Sequence, residues 1–282
     1  MLKKIASHLS AWVKLRINIY LPLFRSKNII INGKIILNYN SFIFINTNSK
    51  LIINGNLHIR NSKVFIDNSI VELNSDVIIE NSIMSVNNST LKISANSRFD
   101  NSWLYVNDKS TVTIHSYFLA ISMYPHRCTI NIRNARFTAM ENCRIEGNVD
   151  CKNSRFFMDK NSFINYGTEL RCHKQIEIGK NVFISYECII FDTNTHSVDP
   201  AKRRKEIELG FPNGNTQTKD LEPELKEIKI EDNVWIGMRA VIMKGVTIGE
   251  NSIVGTASVV TKNVPANKLA VGNPALIKDL KY

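Results

Sequence analysis

Residues 230–264 read IEDNVWIGMRAVIMKGVTIGENSIVGTASVVTKNV, and this stretch decides the fold because an aliphatic residue returns at every sixth position. The repeated positions are Ile230, Ile236, Ile242, Ile248, Val254 and Val260. A small or β-branched residue follows each of them four places later. A six-residue step with one aliphatic and one small inward side chain forms one flat side of a triangular coil, and three steps close a turn of about 18 residues. The stretch therefore predicts a parallel β-solenoid.

The repeat extends toward the N-terminus in a looser form. Residues 178–190 keep the six-residue spacing, and from residue 28 alternating apolar pairs such as Leu51-x-Ile53 begin 20 or 21 residues apart. The dipeptide Asn-Ser recurs between these pairs. Asparagine tolerates the left-handed backbone conformation and bonds to nearby backbone groups, so its regular recurrence indicates regular turns. We expect irregular coils over residues 28–173.

Residues 1–27 show the spacing of an amphipathic helix, with Pro22 positioned to end or kink it. The net charge of +11 is concentrated at this end, since residues 1–66 contain ten Lys and Arg and no Asp or Glu. A charge confined to one terminus does not favour a nucleic-acid groove built into the fold. A basic amphipathic helix either lies on an anionic membrane surface or packs on its own fold or a partner subunit.

The cysteines favour neither a disulfide framework nor a zinc site, because they are odd in number and form no C-x-x-C pair. They are Cys128, Cys143, Cys151, Cys172 and Cys188. No apolar run approaches the roughly 18 residues that span a bilayer, and the N-terminus lacks the pattern of a signal peptide. We expect reduced, buried thiols and no metal in a cytoplasmic protein that can contact the inner membrane peripherally.

Four further motifs carry a resemblance to a known family: Asn233–Gly237 (NVWIG), Gly245–Gly249 (GVTIG), Val260–Pro265 (VTKNVP) and Ala270–Ala275 (AVGNPA). With the repeat, the chain resembles the hexapeptide-repeat acyltransferases. It looks most like the galactoside, maltose and nodulation-type acetyltransferases and the bacterial capsule and lipopolysaccharide O-acetyltransferases. The resemblance is specific over residues 175–278. It implies a left-handed parallel β-helix, a homotrimer, acetyl-CoA as donor and an active site between neighbouring subunits.

The predicted organisation follows from the repeat and the resemblance together. An N-terminal amphipathic helix (1–27) precedes irregular β-helix coils (28–173). Hexapeptide coils (174–274) follow, interrupted by a loop (197–227) without obvious secondary structure. A short C-terminal helix (275–282) ends the chain.

His196 is the candidate general base, because it directly follows a hexapeptide run and opens the irregular stretch. Imidazole titrates near neutrality, so it can take a proton from an acceptor hydroxyl and pass it to the departing thiolate. The resemblance places the family's catalytic histidine at this position. Asp192 and Asn194 are the sequence neighbours that could orient the ring, although other coils can lie as close. No Ser-His or Cys-His pairing is visible, which favours direct transfer without an acyl-enzyme.

The residues for the donor are assigned by the resemblance, matched residue by residue. They are Trp235, Met238, Thr256, Ala257, Thr261, Lys262 and Lys278. Small residues would let the pantetheine arm run along the wall, Lys262 would meet coenzyme phosphates, and Trp235 would cover the acyl site, stack on a sugar or serve only as a wedge between coils. The loop cluster Lys202, Arg203, Arg204 and Lys205 is either a solvated charge run or an attractor for an acidic sugar or a coenzyme phosphate.

The sequence predicts an acetyl-CoA-dependent O-acetyltransferase acting on a hydroxyl of a bacterial surface glycan, such as capsule, lipopolysaccharide or a sugar precursor, with His196 as base. Two alternatives stay open. One is N-acetylation of an amino sugar nucleotide, in which the same histidine deprotonates an ammonium group. The other is a catalytically silent solenoid that binds glycan or acts as a scaffold.

Overall fold

The computed structural model describes residues 128–213 and 223–281 continuously, and before residue 128 it describes the backbone of the strands. Side chains are described chiefly over residues 132–209 and 223–281. The predicted N-terminal helix of residues 1–27 lies outside the described residues.

The described strands form three parallel sheets, which are the three faces of one solenoid. From Ile29–Ile31 to Val241–Ile242, each strand pairs with the strand three places later in the chain, so the chain passes over all three faces before it returns to the first. In the part of the chain that is described, face 1 has ten strands, face 2 twelve and face 3 ten. This is the parallel β-helix that the sequence predicts.

The strand bounds follow the faces in turn. Face 1 comprises Ile29–Ile31, Lys50–Ile53, Ile70–Leu73, Thr90–Ile93, Thr111–Ile114, Arg136–Ala139, Arg155–Met158, Gln175–Ile178, Ile228–Ile230 and Thr247–Ile248. Face 2 comprises Ile35–Leu37, Leu57–Arg60, Val77–Glu80, Arg98–Asp100, Leu119–Ile121, Arg144–Ile145, Phe163–Ile164, Phe183–Ile184, Trp235–Ile236, Ile253–Val254, Lys268–Gly272 and Ala275–Asp279. Face 3 comprises Phe42–Ile45, Lys63–Ile66, Met84–Val86, Ser102–Val106, Cys128–Arg133, Asn148–Lys152, Glu169–Cys172, Ile189–Phe191, Val241–Ile242 and Val259–Val260.

The six-residue repeat lines the core, as predicted. Every aliphatic repeat position from Ile230 to Val260 is at most 1% exposed, and the small positions between them are also buried. Because neighbouring coils are in register, each inward side chain packs on its equivalent in the next coil. The rings of Phe137 and Phe156 show this stacking, with centroids 4.8 Å apart and planes inclined by 9°. Burial of one such aliphatic side chain contributes about 1.5–3 kcal/mol.

Asparagine forms the corner between face 1 and face 2 in successive coils. Six residues at this corner have positive φ: Asn142, Asn161, Asn181, Asn233, Asn251 and Asn267. Their side-chain amides also bond from coil to coil, as in Asn142 Nδ2 to Asn161 Oδ1 (3.0 Å) and Asn161 Nδ2 to Asn181 Oδ1 (3.2 Å). The asparagines of this corner take the role that the sequence predicts for the Asn-Ser pairs between residues 61 and 89, which lie outside the described residues, and the hydrogen-bonded ladder adds a second reason for asparagine here.

The thiols lie inside the solenoid. Cys143, Cys151, Cys172 and Cys188 are free and buried, whereas the side chain of Cys128 lies outside the described residues. Burial raises the pKa of the Cys143 thiol to about 11 and also raises the pKa of Cys188. A thiol held protonated and away from solvent is a poor nucleophile, so Cys188 is a small core residue, as predicted.

The inserted segment contains a helix, Pro200–Asn213, where the sequence analysis predicts a loop without secondary structure. The helix begins at a clear signal. The Asp199 carboxylate accepts hydrogen bonds from the backbone amides of Ala201 (2.8 Å) and Lys202 (3.3 Å), and Pro200 occupies the first helical position. An N-cap acid followed by proline is a strong start signal, so the prediction of an unstructured loop is wrong over these residues.

The insertion leaves the solenoid and returns to it at one point. Thr193 and Leu225 form an antiparallel bridge, and the Lys226 amide donates to the Asp192 carbonyl at 2.9 Å. The fully buried Asp192 carboxylate accepts the amides of His173 (2.8 Å), Lys174 (2.7 Å) and Gln175 (2.8 Å) from the previous coil. Asp192 therefore fastens the base of the insertion to the solenoid.

The C-terminal helix predicted for residues 275–282 is also wrong. Ala275–Asp279 is a strand that pairs antiparallel with Lys268–Gly272, with Gly272 opposite Ala275. The residues Asn273 and Pro274 form the connecting turn, and Gly272 has φ of 108°, a conformation that glycine adopts readily. The returning strand covers the edge of face 2, whose backbone groups would otherwise be unpaired at this end.

The asparagine ladder predicts a difference between two substitutions at Asn161. Asn161→Ala removes both ladder bonds and places an alanine at φ of 60°, whereas Asn161→Gly removes the bonds alone. We expect Asn161→Ala to lower the free energy of unfolding by about 1 kcal/mol more than Asn161→Gly, because left-handed backbone strains a residue with a Cβ. Urea denaturation measures both, and equal losses would contradict this account of the corner.

The geometry of Asp192 predicts that Asp192→Asn is destabilising. An asparagine accepts hydrogen bonds through one oxygen only, and its NH₂ group would face a backbone N–H in a buried site. We expect the free energy of unfolding to fall by about 2 kcal/mol, the typical cost of leaving a buried donor unsatisfied. The control is Asp159→Asn, because Asp159 accepts the amide of Lys160 (2.7 Å) at an exposed site. Similar losses in the two variants would contradict the anchoring role of Asp192.

Candidate active site

His196 and Glu206 form the central pair of the candidate site. The Nδ1 atom of His196 lies 2.9 Å from Oε1 of Glu206. The histidine side chain is 64% exposed, while that of Glu206 is only 11% exposed. Because a carboxylate faces Nδ1, the proton of the neutral ring is assigned to that nitrogen, which leaves Nε2 free to accept a proton. This is the arrangement of a general base with an orienting carboxylate.

The local backbone explains how this pair is positioned. Thr195 has φ of 67°, and the His196 amide donates to the Asn194 carbonyl at 2.7 Å, so the chain turns sharply at the histidine. The inserted helix begins four residues later. Within residues 201–209, Glu206 is the one buried residue. The helix therefore approaches the solenoid with the side that carries this carboxylate.

The residue that contacts the imidazole is Glu206. The sequence neighbours Asp192 and Asn194, which are predicted above to orient the ring, do not contact it through their side chains. The Asp192 carboxylate is occupied by three backbone amides, and Asn194 contacts His196 through its carbonyl. The signal for Glu206 was present in the sequence, since Asp199 and Pro200 begin a helix that includes it. Sequence reasoning missed it because the segment was interpreted as a loop.

The basic cluster in the insertion divides into two groups. Arg203 turns back to donate from Nη1 to the carbonyls of Ser197 (2.9 Å) and Val198 (3.1 Å), so it supports the loop that follows His196. Lys202, Arg204 and Lys205 are exposed on the helix. Arg203 therefore stabilises the loop, whereas the side chains of the other three cations are exposed to solvent.

Most of the residues predicted to bind the donor lie on face 2 or at its corner with face 3. Trp235 is 50% exposed, and its Nε1 donates to Ser185 Oγ at 3.2 Å. Strand pairing places Trp235, Ile253, Leu269 and Lys278 in one row across face 2. At the corner, the amide of Ala257 donates to the Met238 carbonyl at 2.8 Å, so Met238 lies one coil from Thr256 and Ala257.

Gly237, the glycine of the NVWIG motif, is required at this same corner for a steric reason. A Cβ at Gly237 would lie 2.7 Å from the Thr256 amide nitrogen and 2.8 Å from the Val254 carbonyl oxygen. Backbone atoms cannot yield to such contacts, so a glycine is required where the two coils approach. The close approach positions Met238 against the corner of the next coil.

Thr261 and Lys262 lie at a different corner, between face 3 and face 1, to which the insertion with His196 also belongs. One face of the solenoid therefore separates the histidine from Trp235 and Met238. A strand segment of about four residues, with a rise of roughly 3.3 Å per residue, spans such a face. Within one chain, His196 and Glu206 therefore lie at one corner, and most of the predicted donor residues lie at the next corner. The two groups do not form one site within the chain.

Neither a metal-ligand cluster nor a membrane-spanning helix occurs among the described residues. Within residues 128–213 and 223–281, no three His, Cys, Asp or Glu side chains are grouped as metal ligands would be. The described helix is too short and too polar to cross a bilayer.

Comparison with known proteins places the repeat in a family. Residues 227–262 match the model of the bacterial transferase hexapeptide (six repeats). A putative acetyltransferase of Schizosaccharomyces pombe is 40% identical over 116 residues, which are 41% of this chain and 48% of that protein. A galactoside O-acetyltransferase of Lactococcus lactis is 32% identical over 142 residues, or 49% of this chain and 60% of that protein. The chain thus spans about half to three fifths of the length of these curated relatives.

A solved structure extends the match over more of a relative's length. The hexapeptide-repeat-containing acetyltransferase of Vibrio cholerae is 32% identical, with 50% of this chain and 72% of that chain covered and a TM-score of 0.40. The same acetyltransferase has also been solved in complex with acetyl coenzyme A, with a TM-score of 0.38. The repeat model and the sequence identities agree: residues 227–262 carry the bacterial transferase hexapeptide, and the chain is similar to hexapeptide-repeat acetyltransferases.

Proposed function

We propose that the protein transfers an acetyl group from acetyl-CoA to a hydroxyl of a carbohydrate, with His196 as general base and Glu206 as the residue that orients it. The observation that carries this proposal is the 2.9 Å contact between His196 Nδ1 and Glu206 Oε1. Two relatives support the substrates: one is named a galactoside O-acetyltransferase, and another was solved in complex with acetyl coenzyme A. The glycan of a bacterial surface is the acceptor we favour.

The chemistry at His196 follows from its free nitrogen. The acceptor hydroxyl donates a hydrogen bond to Nε2, and its oxygen attacks the thioester carbonyl as the proton moves to Nε2. The Glu206 carboxylate stabilises the imidazolium through Nδ1. Collapse of the tetrahedral intermediate breaks the C–S bond, and the thiolate takes the proton from Nε2. General acid–base catalysis of this kind contributes about 10²- to 10⁴-fold to the rate.

The donor would lie along face 2. Trp235, Met238, Thr256 and Ala257 offer a wall of small and apolar groups for the pantetheine arm, and the Lys278 ammonium at the end of the Trp235 row would meet a phosphate. Lys262 would offer a second cation from the other corner. Because His196 and the face 2 residues lie at different corners of one chain, we propose that a neighbouring subunit of a homotrimer completes the site.

This mechanism predicts different effects for two substitutions. His196→Ala should lower kcat for acetyl transfer by about 10³-fold, because no group then accepts the hydroxyl proton. Glu206→Gln should lower kcat by about tenfold or more and leave the KM of both substrates unchanged, because it removes orientation and charge but no binding contact. Release of the coenzyme A thiol in the presence of candidate glycans measures both effects.

The matched control is Glu208→Gln, since Glu208 is an exposed carboxylate two residues away on the same helix. Its kcat should equal that of the wild type. An unchanged kcat in His196→Ala would refute the proposal, and glycan binding without any turnover would favour a scaffold. Acetylation of amino sugars but not of hydroxyls would favour the N-acetyltransferase.

We also propose that the protein is cytoplasmic and that the basic N-terminal segment contacts the anionic inner membrane. Six Lys and Arg precede residue 28, and each cation near an anionic surface contributes about 1 kcal/mol. We expect the full chain to float with anionic vesicles at low salt and to detach at high salt. A variant with Lys3, Lys4, Lys14 and Arg16 replaced by Glu keeps the apolar pattern and should not float. Equal flotation of both proteins would contradict the electrostatic contact.

A further inference from the structure

We propose that Arg171 determines acceptor specificity by holding a carboxylate of the acceptor beside His196, so that the acceptor is an acidic sugar. This inference rests on the proposed function and adds a substrate class to it.

The Arg171 side chain is fixed at the loop that carries the histidine. Arg171 lies in the face 3 strand Glu169–Cys172 and pairs in register with Phe191 of the next coil. Its Cζ lies 4.4 Å from the centroid of the Phe191 ring, and its Nη1 donates to Thr195 Oγ1 at 3.3 Å. Thr195 directly precedes His196. The guanidinium is therefore held one residue from the candidate base.

The charge of Arg171 is left without a carboxylate partner among the described residues. Its register partner in the preceding coil is Asp150. The Asp150 carboxylate is occupied by Arg133 at 2.9 Å and by His173 at 3.4 Å. Partial burial raises the pKa of Asp150, but the hydrogen bonds from His173 and Arg133 outweigh this effect and hold the pKa below its usual value. Asp150 is thus ionised and paired elsewhere.

The guanidinium keeps donors available for a ligand. Arginine carries five N–H donors in one plane, and the described contacts of Arg171 use one of them, the bond to Thr195. The contact with the Phe191 ring adds no described hydrogen bond, so it uses none of the remaining donors. The edge of a guanidinium matches a carboxylate with two parallel hydrogen bonds. An acceptor with a carboxylate near its reacting hydroxyl therefore fits both Arg171 and His196.

The cations of the inserted helix offer no comparable site. Lys202, Arg204 and Lys205 are exposed on the helix, and Arg203 is bonded to backbone carbonyls. Exposed cations attract an anion over a distance, and salt screens that attraction. Arg171 is half-buried and is held by the Phe191 ring and by Thr195, so its position can select an acceptor by the location of its carboxylate.

The test compares Arg171→Gln with the wild type on acidic oligosaccharides and their carboxyl-reduced forms. The probes are oligogalacturonate, hyaluronan oligosaccharides and sialic acid oligomers. Binding is measured by titration calorimetry without donor, and turnover by release of coenzyme A. We expect the wild type to bind at least one acidic probe about tenfold or more tightly than its reduced form. Arg171→Gln should abolish this preference and leave the KM of acetyl-CoA unchanged.

Two further variants distinguish a role of Arg171 in recognising the acceptor carboxylate from a purely structural role. Arg155→Gln removes an exposed arginine of face 1 and should keep the full preference. Arg171→Lys keeps the charge but not the planar fork, and should keep only part of the preference; it also serves if Arg171→Gln does not fold. A purely structural role for Arg171 would reduce the binding of acidic and reduced probes equally.

The outcomes distinguish this inference from the proposed function. Turnover with no preference for the acidic form, or a preference that survives in Arg171→Gln, would overturn the role of Arg171 and leave the acetyltransferase intact. Arg171-dependent binding without any turnover would support the role of Arg171 and refute the proposed reaction. Failure of the wild type to bind any acidic probe more tightly than its reduced form would also overturn the inference.

Discussion

The register between coils is the constraint on which the rest of the structure depends. A coil of three short strands has no core of its own, so its inward side chains are buried only by the equivalent side chains of the next coil. Because of this requirement, inward aliphatic residues such as Ile230, Ile236 and Ile242 recur at fixed spacing, and Asn161 lies next to Asn142 in the neighbouring coil at the corner. It also aligns the outward residues, so that functional side chains stack in rows along each face.

The insertion places the candidate pair His196 and Glu206 on a scaffold that is otherwise uniform. Its base is closed by the Thr193–Leu225 bridge and by the buried Asp192 carboxylate. A helix within it then supplies Glu206 to His196. The solenoid orients the residues before the histidine, and the helix orients its ring. Rigidity at the base of the insertion is what allows a loop histidine to hold a defined position.

The candidate site could be predicted from the sequence in part. The sequence identifies His196 because it follows a hexapeptide run and matches the family's catalytic histidine, and it identifies Trp235 through the family resemblance. Glu206 and Arg171 were not identified, because each reaches the histidine loop from a separate element, and six-residue periodicity carries no information on outward side chains. Asp192 was assigned to the imidazole because it is near in sequence, but its carboxylate is drawn to three unpaired amides of the previous coil.

The sequence by itself determined the parallel solenoid, the buried residues of its core and the asparagine turns, because these features depend on a local period that every coil repeats. Only the tertiary structure decided the partner of His196, the row that joins Trp235 to Lys278 and the strand that ends the chain. These features depend on contacts between coils, or between the solenoid and its insertion. Such contacts are set by packing and by unpaired backbone groups, and no single stretch of sequence records them.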